Sequence, residues 1–204
     1  MNQEQIPGSR TLIYLPIIHT PADMGALKDS VTRATLKRVG RIGLSRKETA
    51  IQQIWTEIEP ALEALNLAYD RVRLYQDGLP VCGREVQIVT ELARAGSRNH
   101  QLLLHLLAKG ATLMGTEAAD LLVEEYQLAQ QSLGDRPPRA AGPAAQRRSR
   151  SDALLQRRDR FIAQRINETL KNRETGILFL GMLHSLDRYL AKDIKVIYPL
   201  HRPR

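Results

Sequence analysis

At 204 residues, 43% of them hydrophobic and 25% charged, the chain is long enough for one full α/β core and too short for two comfortable ones. No apolar run approaches the roughly 18–20 residues that cross a bilayer. The first residues, Met1 to Gln5, lack the basic start and apolar stretch of a secretory signal, so no membrane partner is expected. The formal net charge of +8 is concentrated: residues 134 to 165 hold nine Arg and three Asp and no Lys or Glu. With one Trp and two Phe the chain is poor in stacking platforms. That basic stretch is therefore read as a solvated linker and helix face rather than a phosphate-binding surface, and nucleic acid is not expected as a partner. One cysteine, Cys82, permits no intramolecular disulfide and predicts a reducing, cytoplasmic setting.

In chain order, a first strand is predicted over 11–19, ending in His19-Thr20-Pro21-Ala22-Asp23, followed by a helix over 26–39. Ser45 to Glu48 has the form of a capping box. It precedes a helix with Ile51, Ile54, Trp55, Ile58, Leu62 and Leu65 on one stripe, in which Pro60 predicts a kink or break. Arg71 to Gly78 alternates and is read as strand two. Helices over 84–95 and 98–109 follow, divided by Gly96-Ser97, and then a short third strand from Ala111 to Glu117 and a helix over 118–133. Residues 134–150, rich in Pro, Ala and Arg, are expected to be a flexible loop. A long helix is predicted over 151–171, with Leu154, Leu155, Phe161, Ile162, Ile166 and Leu170 inward. Strand four covers Gly176 to His184, a short helix 186–191, and a last strand 194–200. Strand-helix alternation predicts one domain over 1–204, an α/β three-layer sandwich with a parallel or mixed sheet of about five strands.

Two of these strands carry the same phrase. Leu12-Ile13-Tyr14-Leu15-Pro16-Ile17-Ile18-His19 matches Ile177 to His184 class by class, with Tyr14 over Phe179, His over His, and Pro16 where Gly181 stands. Uninterrupted apolar runs suit strands buried on both faces, and the carboxyl ends of parallel strands are where α/β proteins bind ligands.

Arg158-Asp159-Arg160-Phe161-Ile162, with Gly181-Met182-Leu183-His184 after it, resembles the closing signature of the TraB/Tiki superfamily, which includes the GumN-like, ChaN-like and erythromycin-esterase-like proteins. Ile13 to His19 is similar to that family's first strand, and Leu113-Met114-Gly115-Thr116-Glu117 to its mid-chain strand. Leu74-Tyr75-Gln76-Asp77 sits where the family has a strand ending in Glu. The departures are Pro16, in place of the first Gly-x-x-His glycine, and Gln76, an amide with Asp77 one residue later on the opposite strand face.

The resemblance implies a metal-dependent hydrolase, peptidase-like, acting on a peptide or other small-molecule substrate. On that reading His19 and His184 bind a divalent metal ion, Glu117 positions or deprotonates water, and Arg158 steadies developing negative charge; Asp23, Gln76 and Asp77 are accessory. Plainer readings stand beside these. Glu117 also suits the first turn of the next helix, Gln76 and Asp77 suit a turn with Gly78, and Arg158 suits solvent. His100 and His105 are read as structural and Cys82 as incidental. The alternative function is a non-catalytic binding protein that keeps the pocket for a small anionic ligand or a protein partner, which the changes at Pro16 and Gln76 favour. The sequence also leaves room for a homo-oligomer.

Overall fold

A computed structural model describes residues 9–18, 55–134 and 141–199, together with positions 32, 33, 36, 49 and 53. His19, Asp23, the capping box at Ser45 and most of the helix expected over 26–39 lie outside the described residues. Among the described residues five strands form one parallel sheet: β1 (Arg10–Ile17), β2 (Val72–Gln76), β3 (Thr112–Met114), β4 (Thr175–Gly181) and β5 (Ile194–Ile197), in the order β3-β2-β4-β1-β5. Among the described residues the continuous α-helices are α1 (residues 55–63), α2 (Glu85–Arg94), α3 (Arg98–Ala108), α4 (Ala119–Gly134) and α5 (Ala141–Thr169), and positions 32, 33, 36, 49 and 53 are helical too.

The apolar runs are explained by helices on both faces. Ile13, Leu15 and Ile17 of β1 face one way with Ile177 and Phe179 of β4, against Trp55, Ile58 and Leu62 of α1, Val89 of α2, and Leu103 and Leu106 of α3. Leu12, Tyr14, Leu178 and Leu180 face the other way, against Ile162 and Ile166 of α5 and Leu170 just beyond it. A strand covered on both faces has no polar side to present, and alternation disappears from its sequence. The result is the three-layer α/β sandwich expected, with every strand pair parallel. Among the described residues no helix is long and apolar enough to cross a membrane.

The structure changes several local expectations. The matched phrases are displaced by one residue in space: Pro16 lies opposite Leu180 and Ile17 opposite Gly181. Tyr14 consequently points to the α5 side and Phe179 to the other, because a one-residue slip exchanges the two faces of a strand. Pro60 lies within continuous helix rather than breaking it. Residues 186–191 make a single turn, with the Tyr189 amide donating to the Leu186 carbonyl at 2.8 Å, too short a stretch to propagate a helix. Residues 141–150, assigned from composition to a loop, form the start of α5, and 135–140 lie outside the described residues. Ala and Arg are strong helix formers, and Pro143 falls in the first turn, where the missing amide costs little. Gly96-Ser97 works as expected: Gly96, at φ +94°, ends α2, and the Ser97 hydroxyl accepts from the His100 amide to start α3.

Ion pairs hold the amino edge of the sheet. Arg10 donates to both carboxylate oxygens of Asp193 at 2.8 Å and to the carbonyls of Asn167 and Leu170 at the end of α5. Arg73 pairs with Glu174. Tyr75 is fully buried on the α5 side, in space left by Gly176: a Cβ there would approach the tyrosine ring to 3.2 Å and Leu12 to 2.7 Å. Burial pushes the Tyr75 phenol up from 10.0 to about 12, although its hydroxyl shares a 2.9 Å hydrogen bond with Thr169.

The neutral phenol is thus favoured by folding. Its contribution, on the order of 2–3 kcal/mol for two pKa units, is complete below pH 10 and is lost as pH rises through 12. Ultraviolet titration of the folded protein, compared with Tyr75→Phe, is expected to show one phenol ionising in step with alkaline unfolding. A Tyr75 signal at an ordinary phenol pKa would contradict this.

Candidate functional site

Four chain segments meet at the carboxyl edge. After β2, the Leu79 amide closes a turn onto the Gln76 carbonyl, with Gly78 in the left-handed region at φ +76°, the position of such a turn that glycine fills without strain. After β3, the amides of Thr116 and Glu117 donate to the Leu79 carbonyl, and the Val81 amide donates back to the Glu117 carbonyl. This brings the two strand ends together, with no room for a side chain on Gly115, whose Cβ would lie 2.7 Å from the Val81 backbone. After β4, the His184 amide donates to the Gly181 carbonyl at 3.1 Å, so the Gly-x-x-His spacing is one tight turn. Its middle residues, Met182 and Leu183, are thrown outward and its histidine is turned back in.

The fourth segment is the middle of α5. At roughly 1.5 Å per residue the 29 residues of α5 span about 43 Å, nearly twice the roughly 23 Å of seven-residue β4. Its last turns cover the sheet, and Leu155, Arg158 and Asp159 reach past the strand ends.

There the charges converge. Arg158 is buried and donates from Nε to Glu117 Oε2 at 2.6 Å, and from one terminal nitrogen to Glu117 Oε1 at 2.7 Å and to Asp77 Oδ1 at 2.8 Å. Its other terminal nitrogen pairs with Glu125 of α4. Glu117 Oε1 also accepts from the Gly78 amide at 2.6 Å, and Asp77 Oδ2 from the Gly181 amide at 2.8 Å. Burial raises the Glu117 pKa, reinforced by the charge of Asp77 and opposed by the hydrogen bonds from Arg158. Burial works against the Arg158 charge as well, but Glu117, Asp77 and Glu125 outweigh it and hold the guanidinium pKa above its ordinary value.

Beside this cluster, His184 Nδ1–H donates to Asp159 Oδ1 at 2.6 Å, while Asp159 Oδ2 accepts from the Ser185 amide at 3.1 Å. The ring is fixed, and its Nε2 lies 3.6 Å from Asp77 Oδ2. A cleft of about 610 Å³ opens over these atoms. A second cavity, of about 690 Å³, lies by Tyr69 and Lys109 toward the amino ends of β2 and β3. Its Arg98–Glu59 pair is partly solvated, and a chemical role is better sought at the carboxyl edge.

Of the residues singled out in the sequence, Asp77, Glu117, Arg158 and His184 are brought together, while His19 and Asp23 lie outside the described residues. Gln76 is buried behind them, its amide nitrogen donating to the Asp77 carbonyl. The opposite-face argument against Asp77 does not apply, because Asp77 has left the strand and sits in the turn. Neither Glu117 nor Arg158 is a solvated charge. His100, read as structural, is buried with Nδ1 2.6 Å from the Ser97 hydroxyl, and also lines the cleft.

Sequence reasoning assigned no role to Asp159 or Glu125. A signal for Asp159 was present: Leu155, Arg158, Asp159, Ile162 and Ile166 follow the three- and four-residue spacing of one helix face, so two opposite charges interrupt an apolar stripe. Glu125 gave none, because a charged residue on an exposed helix face is ordinary.

Fold and cleft together define a parallel α/β protein with a buried, carboxylate-rich site at the sheet's carboxyl edge. Comparison with known proteins finds no matching family model, no matching curated protein and no matching solved structure.

Proposed function

We propose that the chain is a metal-assisted hydrolase, peptidase-like as the TraB/Tiki resemblance implies and working in the cytoplasm. The observation that carries this reading is the charge balance of the site. Three carboxylates, those of Asp77, Glu117 and Glu125, contact the one guanidinium, and a fourth, that of Asp159, lies beside them against the His184 ring. Carboxylates outnumber the cationic side chains in this cluster, and such an excess attracts a cation.

The donor set suits a divalent ion. His184 is held from behind by a carboxylate, as metal-binding imidazoles are, and Asp77 Oδ2 lies 3.6 Å from its Nε2. No third His, Cys, Asp or Glu completes a metal-binding group among the described residues. His19, two residues beyond the end of β1, is proposed as the third ligand. Such an ion would supply an acidic water at neutral pH and polarise a carbonyl. The protein's own part is positional: Asp159 fixes the imidazole, the Gly181 amide and Arg158 fix Asp77, and Glu117 fixes Arg158. With both oxygens occupied, Glu117 is a positioning residue in this reading, and so is Arg158. The alternative, a pocket for a small anionic ligand, is disfavoured by the same excess of carboxylates.

Elemental analysis after equilibration with zinc or manganese, followed by a screen against unmodified peptides, tests the proposal. Wild-type protein is expected to retain metal and cleave peptide, and His184→Ala and Asp77→Asn to lose both. Metal retention unaffected by either substitution would end the ion-site claim.

A further inference from the structure

The cleft has two unlike halves. Its floor is the charged cluster, and its walls are apolar and come from separate elements: Leu92 of α2, Leu122 and Tyr126 of α4, Leu155 of α5, and Met182 and Leu183 of the turn after β4. Three of these residues are among the exposed large apolar side chains, Leu183 at 84%, Met182 at 49% and Tyr126 at 38%. Apolar surface at a cleft mouth is costly to leave in water. The volume, about 610 Å³, falls within the roughly 300–1,000 Å³ of small-ligand sites, which pair apolar walls with a few convergent polar groups.

From this division we infer the substrate class: a peptide segment carrying a bulky aliphatic or aromatic side chain, and no carboxylate, beside the bond presented to His184 and Asp77. The inference rests on the cleft being the substrate site of the hydrolase reading. The apolar side chain lies along the Leu122–Leu155 wall, while the backbone amides, which are neutral and polar, meet the charged floor. An acidic side chain in the same place would face the carboxylate excess and lose its hydration without compensation. Peptide is favoured over an acyl chain because the polar half needs a ligand with several hydrogen-bonding groups, and an acyl chain offers its only polar group at one end.

The test measures binding separately from turnover. Capped tripeptide amides with central Leu, Phe, Gly or Asp are titrated calorimetrically into chelator-treated full-length protein. Leu and Phe peptides are expected to bind at least tenfold more tightly than the Asp peptide, about the effect of burying one apolar side chain. Leu122→Asp and Leu183→Asp are each expected to remove that preference. Leu183 is so exposed that its substitution leaves folding intact, which covers the case in which Leu122→Asp does not fold.

Equal affinity across the series, or a preference that survives Leu183→Asp, overturns the inference. So does an aliphatic alcohol that binds as well as the best peptide. Because no metal is present, failure of the ion-site proposal leaves this result readable, and the reverse holds too.

Discussion

Arg158→Leu is expected to destabilise the protein by about 3–5 kcal/mol, the scale seen when one member of a buried ion pair is removed. Glu117 and Asp77 have side chains only 1% and 3% exposed, and both accept from Arg158. Without the guanidinium, two carboxylates sit side by side out of water, and at least one must take up a proton or the strand ends must separate. Arg158→Lys should recover part of the loss and not all, since a single ammonium cannot reproduce the two-pronged contact with Glu117. The neighbouring arginine is the control. Arg157 pairs with Glu124 at 2.7 Å, but the two side chains are 51% and 38% exposed. Arg157→Leu is therefore expected to cost less than about 1 kcal/mol. Urea unfolding of the three variants measures the contrast. Equal losses at positions 157 and 158 would show that the buried cluster is not holding the carboxyl edge.

If His184 binds a divalent ion as proposed, Asp159→Asn should weaken that binding by about 10- to 100-fold, the usual effect of losing the carboxylate behind a metal-binding imidazole. The two oxygens of Asp159 accept from different donors, His184 Nδ1–H and the Ser185 amide. An asparagine has one oxygen to offer. Turned to Ser185, it presents its own N–H to the imidazole and drives the proton to Nε2, the atom proposed to bind the ion. Turned to His184, it sets two N–H groups against each other at Ser185. Competition against a chelator of known affinity measures the loss, and the nitrogen chemical shifts of His184 report the tautomer. Unchanged affinity together with an unchanged tautomer would remove Asp159 from the site. A tautomer shift without a change in affinity would leave His184 oriented by Asp159 but not bound to metal.

The two predictions concern adjacent residues of one helix that differed in how visible they were in sequence. Arg158 stood in the stretch that resembles the TraB/Tiki closing signature and was expected to steady negative charge. Its donors are in fact directed at three of the protein's own carboxylates, because the ends of β2 and β3 are laced together beneath it. Asp159 stood in the same motif with no role, although its position on an apolar helix face was open to view. Asp77 was given only an accessory place, on the ground of strand alternation, a rule that lapses once the chain has turned at Gly78. The likeness of the two His-terminated phrases did not place β1 beside β4; that adjacency came only with the sheet order. Nor did it fix their register, which is offset by one residue from the likeness, since similarity of residue classes carries no information about which face each side chain takes.

Sequence alone determined the elements of this protein: apolar runs that only a doubly covered strand can bury, apolar stripes that only a helix can present, and glycines and a serine that divide one helix from the next. These signals are local, because burial and backbone conformation act on neighbouring residues. The order β3-β2-β4-β1-β5 and the meeting of Asp77, Glu117, Arg158, Asp159 and His184 were decided only in the tertiary structure. That meeting joins residues up to 107 positions apart, Asp77 and His184. It depends on how far α5 overshoots the sheet and on where three turns return the chain, distances that no stretch of residues encodes by itself.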